Sequence, residues 1–339
     1  MLYRNTAVLI FPLVVLTWYL ISRSWPTLSQ STLHPAPLHA DTVPVAISYG
    51  TGSLLAPPPT PPPSPYDPSK HAYVFYATNS AYACSAIVNF HRLKHNLNTT
   101  VPGILLASSG VSNSTLSAAR TAGLEVIRDE PPPLAPGGVV YYSQVLLKLR
   151  ALNLRAVKPQ LRRIIVMDAD QLILKNLDHL FALPEAEIAA PLAYWQEGSS
   201  VTTTLMVAEL SDQLWGIVDE AIKGIRTDEY DMDLVNRVFG KRLMVLPGRY
   251  CTLNSHWESL DLPGWFEGGT ATRPAQNGEQ LDRLYEMAEV VHFTAMGKPW
   301  DVVGGNVGVT RPTAHPLLGG MFVEWRTTAD EVCGRVPHD

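Results

Sequence analysis

Residues Arg163 to Leu174 read RIIVMDADQLIL. Four consecutive apolar residues, Ile164 to Met167, form the short unbroken run expected of a strand buried on both faces. The run ends in Asp168-Ala169-Asp170. Two carboxylates two residues apart, just beyond a hydrophobic strand, can enter one crevice and hold a hard divalent cation through oxygen ligands. Magnesium and manganese suit such a pair and keep positions open for the phosphate oxygens of a substrate. Taken alone, so short a pattern is equally that of a solvated strand end capping the next segment.

The sequence on either side repeats the alternation of apolar runs and helical periodicity. Candidate strands are Ala72 to Thr78, Gly103 to Ala107, Leu124 to Ile127, Arg163 to Met167, Glu187 to Pro191, Thr204 to Ala208, Leu243 to Leu246 and Val290 to Phe293. Helices are expected over Ser80 to His95, Ser112 to Thr121 and Ser143 to Val157. The third carries Val145, Leu146, Leu149, Leu152 and Ala156 at three- and four-residue spacing. Strand, helix, strand repeated in this way predicts an α/β fold with a Rossmann-like, mostly parallel sheet flanked by helices. Ligands then sit at the carboxyl ends of the strands. Pro131 to Pro136 with Gly137-Gly138 reads as a mobile loop before the third helix.

The chain has 339 residues, 26 Lys plus Arg against 31 Asp plus Glu, a net charge of −5, 46% apolar and 17% charged residues. Such a composition excludes wholesale disorder, and its mild acidity argues against a nucleic-acid partner. Ala7 to Ile21, AVLIFPLVVLTWYLI, is uncharged, between Arg4 and Arg23. As a helix it rises ~22 Å, which suits a thin membrane of the early secretory pathway. With no small-x-small cleavage site close behind, it reads as a signal anchor rather than a cleaved signal peptide. Ser24 to Ser69 holds 12 of the 28 prolines and no Lys or Arg, the composition of an extended spacer. The expected organisation is therefore a short tail and membrane helix over 1–23, a disordered Pro-rich stem over 24–70, and one large folded domain over 71–339. Cys84, Cys251 and Cys333 allow one bridge at most. Asn98-Thr-Thr and Asn113-Ser-Thr are glycosylation sequons, fitting a lumenal domain.

Near the C-terminus, VVHFTAMGKPWD (Val290 to Asp301) carries His292 in an apolar strand and Lys298 six residues later. A neutral imidazole can complete a metal shell and a lysine can neutralise a diphosphate, although such a His is also common as a hydrogen-bonded core residue.

Five ordered stretches together resemble glycosyltransferase family 8, the glycogenin-like retaining transferases of GT-A fold that use UDP-sugars and manganese. They are YATNSAY (Tyr76 to Tyr82), LLKLRAL (Leu146 to Leu152), VMDAD (Val166 to Asp170), TDEYDMDLVN (Thr227 to Asn236) and HFTAMGKPW (His292 to Trp300). An anchor, a proline-rich stalk and a transferase domain further resemble Golgi type II membrane glycosyltransferases, the fungal N-acetylglucosaminyltransferase-like group in particular.

The resemblance implies that Thr78, Asn79 and Tyr82 hold uridine and ribose, that the Ala169 backbone meets the ribose, and that Lys148 contacts the donor sugar or phosphate. It implies Mn2+ bound by Asp168, Asp170 and His292, with Lys298 offsetting leaving-group charge. Asp228 and Asp231 match acidic positions near the reacting sugar; from the sequence alone Asp231 also reads as the N-cap of a helix over Met232 to Phe239. The chain departs from the family pattern at Thr202-Thr203-Thr204, where relatives carry Asn-Ser-Gly, at Met232 in place of Gln, and at Ala295 in place of a glycine that here falls at Gly297. The expected function is transfer of a hexose or N-acetylhexosamine from a UDP-sugar to a glycan or glycolipid acceptor, with retention either through attack by Asp231 or through same-face entry of the acceptor. The alternative is a catalytically silent nucleotide-sugar-binding homologue.

Overall fold

The computed structural model describes residues 67–138 and 144–334. The expected anchor, Ala7 to Ile21, and the stem up to residue 66 lie outside the described residues. No described helix is long and apolar enough to cross a membrane.

Among the described residues, eight strands lie close to their sequence-expected positions: β1 (His71–Ala77), β2 (Gly103–Ala107), β3 (Leu124–Arg128), β4 (Arg163–Met167), β6 (Ile188–Pro191), β7 (Leu205–Glu209), β8 (Met244–Leu246) and β12 (Val290–His292). Four short ones were not expected: β5 (Gln171–Ile173), β9 (Thr252–Leu253), β10 (Asp261–Leu262) and β11 (Arg273–Pro274). The main sheet runs β3-β2-β1-β4-β7-β6-β8. Its pairs are parallel except β4–β7 and β6–β7, so β7 alone runs against the rest.

The nine α-helices described are α1 (Ser80–His91), α2 (Asn113–Thr121), α3 (Leu147–Arg150), α4 (Asp212–Lys223), α5 (Asp231–Phe239), α6 (Ser255–Ser259), α7 (Gly278–Met287), α8 (Val307–Thr310) and α9 (Pro316–Val332). All seven residues of β1 are buried, and the pleat divides them between two cores. Tyr73, Phe75 and Ala77 pack with Ile87 and Phe90 of α1 and Leu116 of α2. Ala72, Val74 and Tyr76 pack with Leu147 and Leu149 of α3 and with α4 and α5. A third core gathers α9 and the outer side of α1 around Trp257, Phe293 and Trp325.

Two expectations need correction. The helix over Ser143 to Val157 is only one α-turn, Leu147–Arg150, continued by a 3-10 helix over Ala151–Ala156. Its entry is wound tightly, with Leu147 N–H donating to Gln144 O (3.2 Å) and Lys148 N–H to Val145 O (3.2 Å). Leu146, Leu147, Leu149, Leu152 and Leu154 are all buried, more than one stripe of an α-helix can hide, and the tighter turn accommodates them. The helix from Ser80 stays α-helical to His91 and then widens into a π turn over Arg92–Asn96. There Arg92 donates to the Ile173 carbonyl (2.9 Å) and pairs with Glu324 of α9 (2.5 Å).

Cys84 of α1 and Cys333 beyond α9 form a disulfide across 249 residues of sequence. Cross-linking so long a loop constrains the unfolded chain, so Cys84→Ser is expected to lower stability by about 2–4 kcal/mol in denaturant unfolding. An unchanged midpoint in a protein shown to contain the oxidised pair would contradict this.

Candidate active site

The site lies where β1, β4, β5, β7 and β12 converge. Parallel pairing sets Phe75 opposite Met167, so Tyr76 and Asp168 emerge side by side at the carboxyl ends of β1 and β4. The Tyr76 hydroxyl donates to Asp168 Oδ1 (2.8 Å). Antiparallel β7 brings Thr204 to the same edge, where its carbonyl accepts from the Asp168 N–H (2.9 Å). The chain then leaves the main sheet through Asp168–Asp170 and enters β5, which pairs with β12 so that Gln171 lies opposite His292. Phe293 N–H donates to the Asp170 carbonyl (3.1 Å).

This crossing brings Asp168, Asp170 and His292 together, each with a ligand atom within 4.8 Å of the others'. His292 Nε2 is 3.4 Å from Asp170 Oδ2, which Lys298 Nζ also contacts. Burial disfavours the His292 cation, yet Asp170 and Cys251 beside it more than offset this and raise its pKa to about 10. Asp170 is held well below the usual carboxylate range, since His292 and Lys298 outweigh the cost of its burial. Anions that favour a proton on a buried imidazole so strongly also favour a metal cation. Two carboxylate oxygens and an imidazole nitrogen form a donor set that manganese accepts.

On the other side of Asp168, the Lys148 side chain is 3% exposed. Its Nζ lies 2.7 Å from Asp168 Oδ1, 2.6 Å from Asp231 Oδ2 and 3.3 Å from Thr203 Oγ1. Burial opposes the charge on Lys148, but Asp168 and Asp231 more than offset it and keep the amine protonated. Burial raises the pKa of Asp168, with Asp170 and Asp231 adding to the rise and Lys148 opposing it. Thr203 Oγ1 also donates to Asp231 Oδ2 (2.6 Å). Asp231 is the first residue of α5, whose N-cap is Tyr230; Asp233 reaches back to the Tyr230 N–H (3.1 Å). The carboxylate of Asp231 is thus turned to Lys148 and Thr203.

The remaining expected residues divide. Asn79 caps α1 by accepting from Tyr82 N–H (3.0 Å). Thr78 donates to Gln144, and the Tyr82 ring lies 4.6 Å from that of Trp300, so these residues line the same edge beyond β1. The Ala169 carbonyl turns inward, accepting from Ser85 Oγ (2.6 Å) and Asn89 Nδ2 (3.2 Å), which leaves a ribose contact to its amide. Asp228 is not brought to the cluster; its side chain is 85% exposed beside Arg226, while its neighbour Glu229 is buried against Arg237. The loop before Lys298 turns through positive φ at both Met296 (70°) and Gly297 (107°), with the Thr294 and Ala295 amides held by Asn254 Oδ1 (2.8 and 2.7 Å). Ala295 therefore stands in a pinned segment, and the left-handed turn follows it at Met296 and Gly297.

No family model matches the chain. A protein named glucose N-acetyltransferase 1 from Aspergillus fumigatus is 27% identical over 262 residues, covering 69% of this chain and 65% of that protein. Its namesake from Gibberella zeae is 24% identical over 255 residues, covering 69% and 54%. Glycogenin from Neurospora crassa is 23% identical over 264 residues, covering 76% of this chain and 34% of that protein. The chain thus spans between a half and two thirds of the length of these two glucose N-acetyltransferase 1 proteins. Among solved structures, the galactosyltransferase LgtC in complex with donor and acceptor sugar analogues shares the fold, with a TM-score of 0.51 at 17% identity, over 76% of this chain and 99% of that one.

Proposed function

We propose, from the premise that the chain is a glycogenin-like member of glycosyltransferase family 8, that it is a retaining transferase moving a hexose or N-acetylhexosamine from a UDP-sugar to a glycan or glycolipid. The observation that carries this reading is the convergence of Asp168, Asp170 and His292 beside the buried Lys148–Asp231 pair. Asp168, Asp170 and His292 would hold Mn2+, which when bound supplies positive charge to the diphosphate. Lys298 reaches the same carboxylate and stabilises the departing UDP as a point charge. Lys148 and Thr203 fix Asp231 through Oδ2, orienting its carboxylate so that negative charge stands ready where the anomeric carbon becomes positive. Tyr76 steadies Asp168 from outside the shell. Thr78, Asn79 and Tyr82, at the end of β1, are assigned to uridine and ribose. A silent homologue would have no use for an oriented acid at Asp231.

The test is release of UDP from UDP-N-acetylglucosamine, UDP-glucose and UDP-galactose by the full-length protein with manganese. N-acetylglucosamine comes first because the fungal relatives are named for glucose and an N-acetyl group. Release from one donor above the protein-free rate is expected; none from any of them, with UDP bound, would favour the silent homologue.

We assign the protein to the Golgi membrane as a single-pass type II protein with its catalytic domain lumenal. The charge-free Ala7 to Ile21 supports this. So does the disulfide, which suits an oxidising lumen. Both sequon asparagines, Asn98 and Asn113, are exposed. The protein is expected to resist carbonate extraction, keep its N-terminus and lose mass on enzymatic deglycosylation. A soluble secreted form beginning beyond Ile21 would overturn the topology.

A further inference from the structure

Asp168 to Asp170 carry the chain from β4 of the main sheet to β5, the edge strand of the smaller β5-β12-β9 sheet. Beyond the crossing, backbone groups alternate in direction along the strand. Asp170 O accepts from Phe293 N–H (3.1 Å) and Leu174 N–H donates to Glu289 O (2.9 Å), both on the β12 side. Ala169, Gln171 and Ile173 turn the other way, to the side where β5 is the sheet edge. All three are buried, so their backbone groups need partners from elsewhere in the protein.

One face of α1 supplies them. Ser85 and Asn89 of α1 and Arg92 of the π turn that continues it stand four and three residues apart, and all are buried. Ser85 Oγ donates to Ala169 O (2.6 Å). Asn89 Nδ2 donates to Ala169 O (3.2 Å) and Gln171 O (2.8 Å), while its Oδ1 accepts from Ile173 N–H (3.1 Å). Arg92 Nε donates to Ile173 O (2.9 Å). The helix thus stands where the next strand would be, with side chains in place of a ladder.

Ala169 O is the critical atom. It also accepts from Gln171 N–H (2.8 Å), the i to i+2 bond of a γ-turn with Asp170 at its centre. A bent bond of this kind holds a turn weakly by itself, and Ser85 and Asn89 pin the oxygen that closes it. Closing the turn fixes where the Asp170 carboxylate stands relative to Asp168 and His292. Behind Ser85 lies α9: Trp325 Nε1, fully buried, donates to Ser85 Oγ (2.9 Å), which leaves the hydroxyl proton for Ala169 O. The Cys84–Cys333 disulfide ties the end of α9 to the residue next to Ser85.

We propose that Ser85, Asn89 and Trp325 are positioning residues of the metal site. They reach its ligands only through the backbone, holding the Ala169 carbonyl so that the γ-turn aims Asp170, and Trp325 acts through Ser85. The role rests on the reading of Asp168, Asp170 and His292 as manganese ligands.

The test is manganese titration of the full-length protein at saturating UDP, read from the electron paramagnetic resonance of free Mn2+, with thermal unfolding in chelator alongside. Ser85→Ala should weaken manganese binding about 10-fold and Trp325→Phe about 3-fold, in line with partners one shell removed from a metal. The double variant should bind as Ser85→Ala does, since the indole has no route to the loop once the hydroxyl is gone. Leu214→Val, in the core on the opposite face of the main sheet, should lower the melting temperature and leave manganese affinity unchanged. Wild-type affinity in folded Ser85→Ala, losses that multiply in the double variant, or an equal loss in Leu214→Val would overturn the proposal. If Ser85→Ala does not fold, wild-type affinity in Trp325→Phe overturns it. Manganese bound by wild type, lost in Asp170→Asn and kept in Ser85→Ala sinks the positioning role alone. A wild-type protein that binds no manganese sinks the metal reading and the positioning role with it.

Discussion

Asp170→Asn is expected to lower manganese-dependent UDP affinity by about 100-fold while leaving the fold intact. Removing one anion from a shell of two carboxylates and an imidazole strips charge from a hard cation that prefers anionic oxygen. It also leaves Lys298 and His292, which both face Asp170 Oδ2, without the carboxylate that offsets them. The fold should survive because the Asp170 backbone, not its side chain, receives the Phe293 N–H that joins β5 to β12, and Asn is nearly isosteric. Metal titration followed by UDP binding, with thermal unfolding of both proteins, checks the outcome. Wild-type manganese dependence in a folded variant would return Asp168 and Asp170 to a structural role.

Asp231→Asn should instead leave donor affinity almost unchanged and reduce kcat by about 100-fold or more, the signature of an interaction made in the transition state. Asn keeps an oxygen for Thr203 but brings no negative charge to a carbon that is becoming positive. Tyr230, not Asp231, is the N-cap of α5, so the variant keeps the helix cap. It loses a favourable charge at the first helical position and one of the two carboxylates that neutralise the buried Lys148, so some loss of stability is expected beside the loss of kcat. Lys148 keeps Asp168 at 2.7 Å. Steady-state kinetics on the best donor decides the matter, and near-normal kcat would remove Asp231 from the chemistry. Asp228 could not easily replace it, being 85% exposed and beside Arg226.

The residues that were legible beforehand are those whose signal is local. β4 and its Asp-x-Asp end could be read because four apolar residues in a row allow little else. His292 and Lys298 were found by their motif. The remaining site residues depend on pairing between distant segments, which no local pattern encodes. In the sequence Thr203 stands only as a departure from the family pattern; the β4–β7 register, Met167 opposite Leu205, carries it to the edge where it holds Asp231. Tyr76 could have been found by laying β1 and β4 parallel with their ends level, since it then falls beside Asp168. The helix over Ser143 to Val157 failed for a different reason: its spacing fitted an α-helix, but Leu147 and Leu154, off the expected stripe, are buried as well. Asp228 falls outside the site because the turn before α5 exposes it and buries its neighbour Glu229, which pairs with Arg237 instead.

The central claim is that the Asp168, Asp170 and His292 cluster binds a nucleotide through a metal. Isothermal titration of the full-length protein with UDP, once with manganese and once with excess chelator, tests it most directly. The account predicts saturable binding with manganese that weakens at least 10-fold with chelator. Equal affinity in the two titrations, or no binding in either, would contradict it.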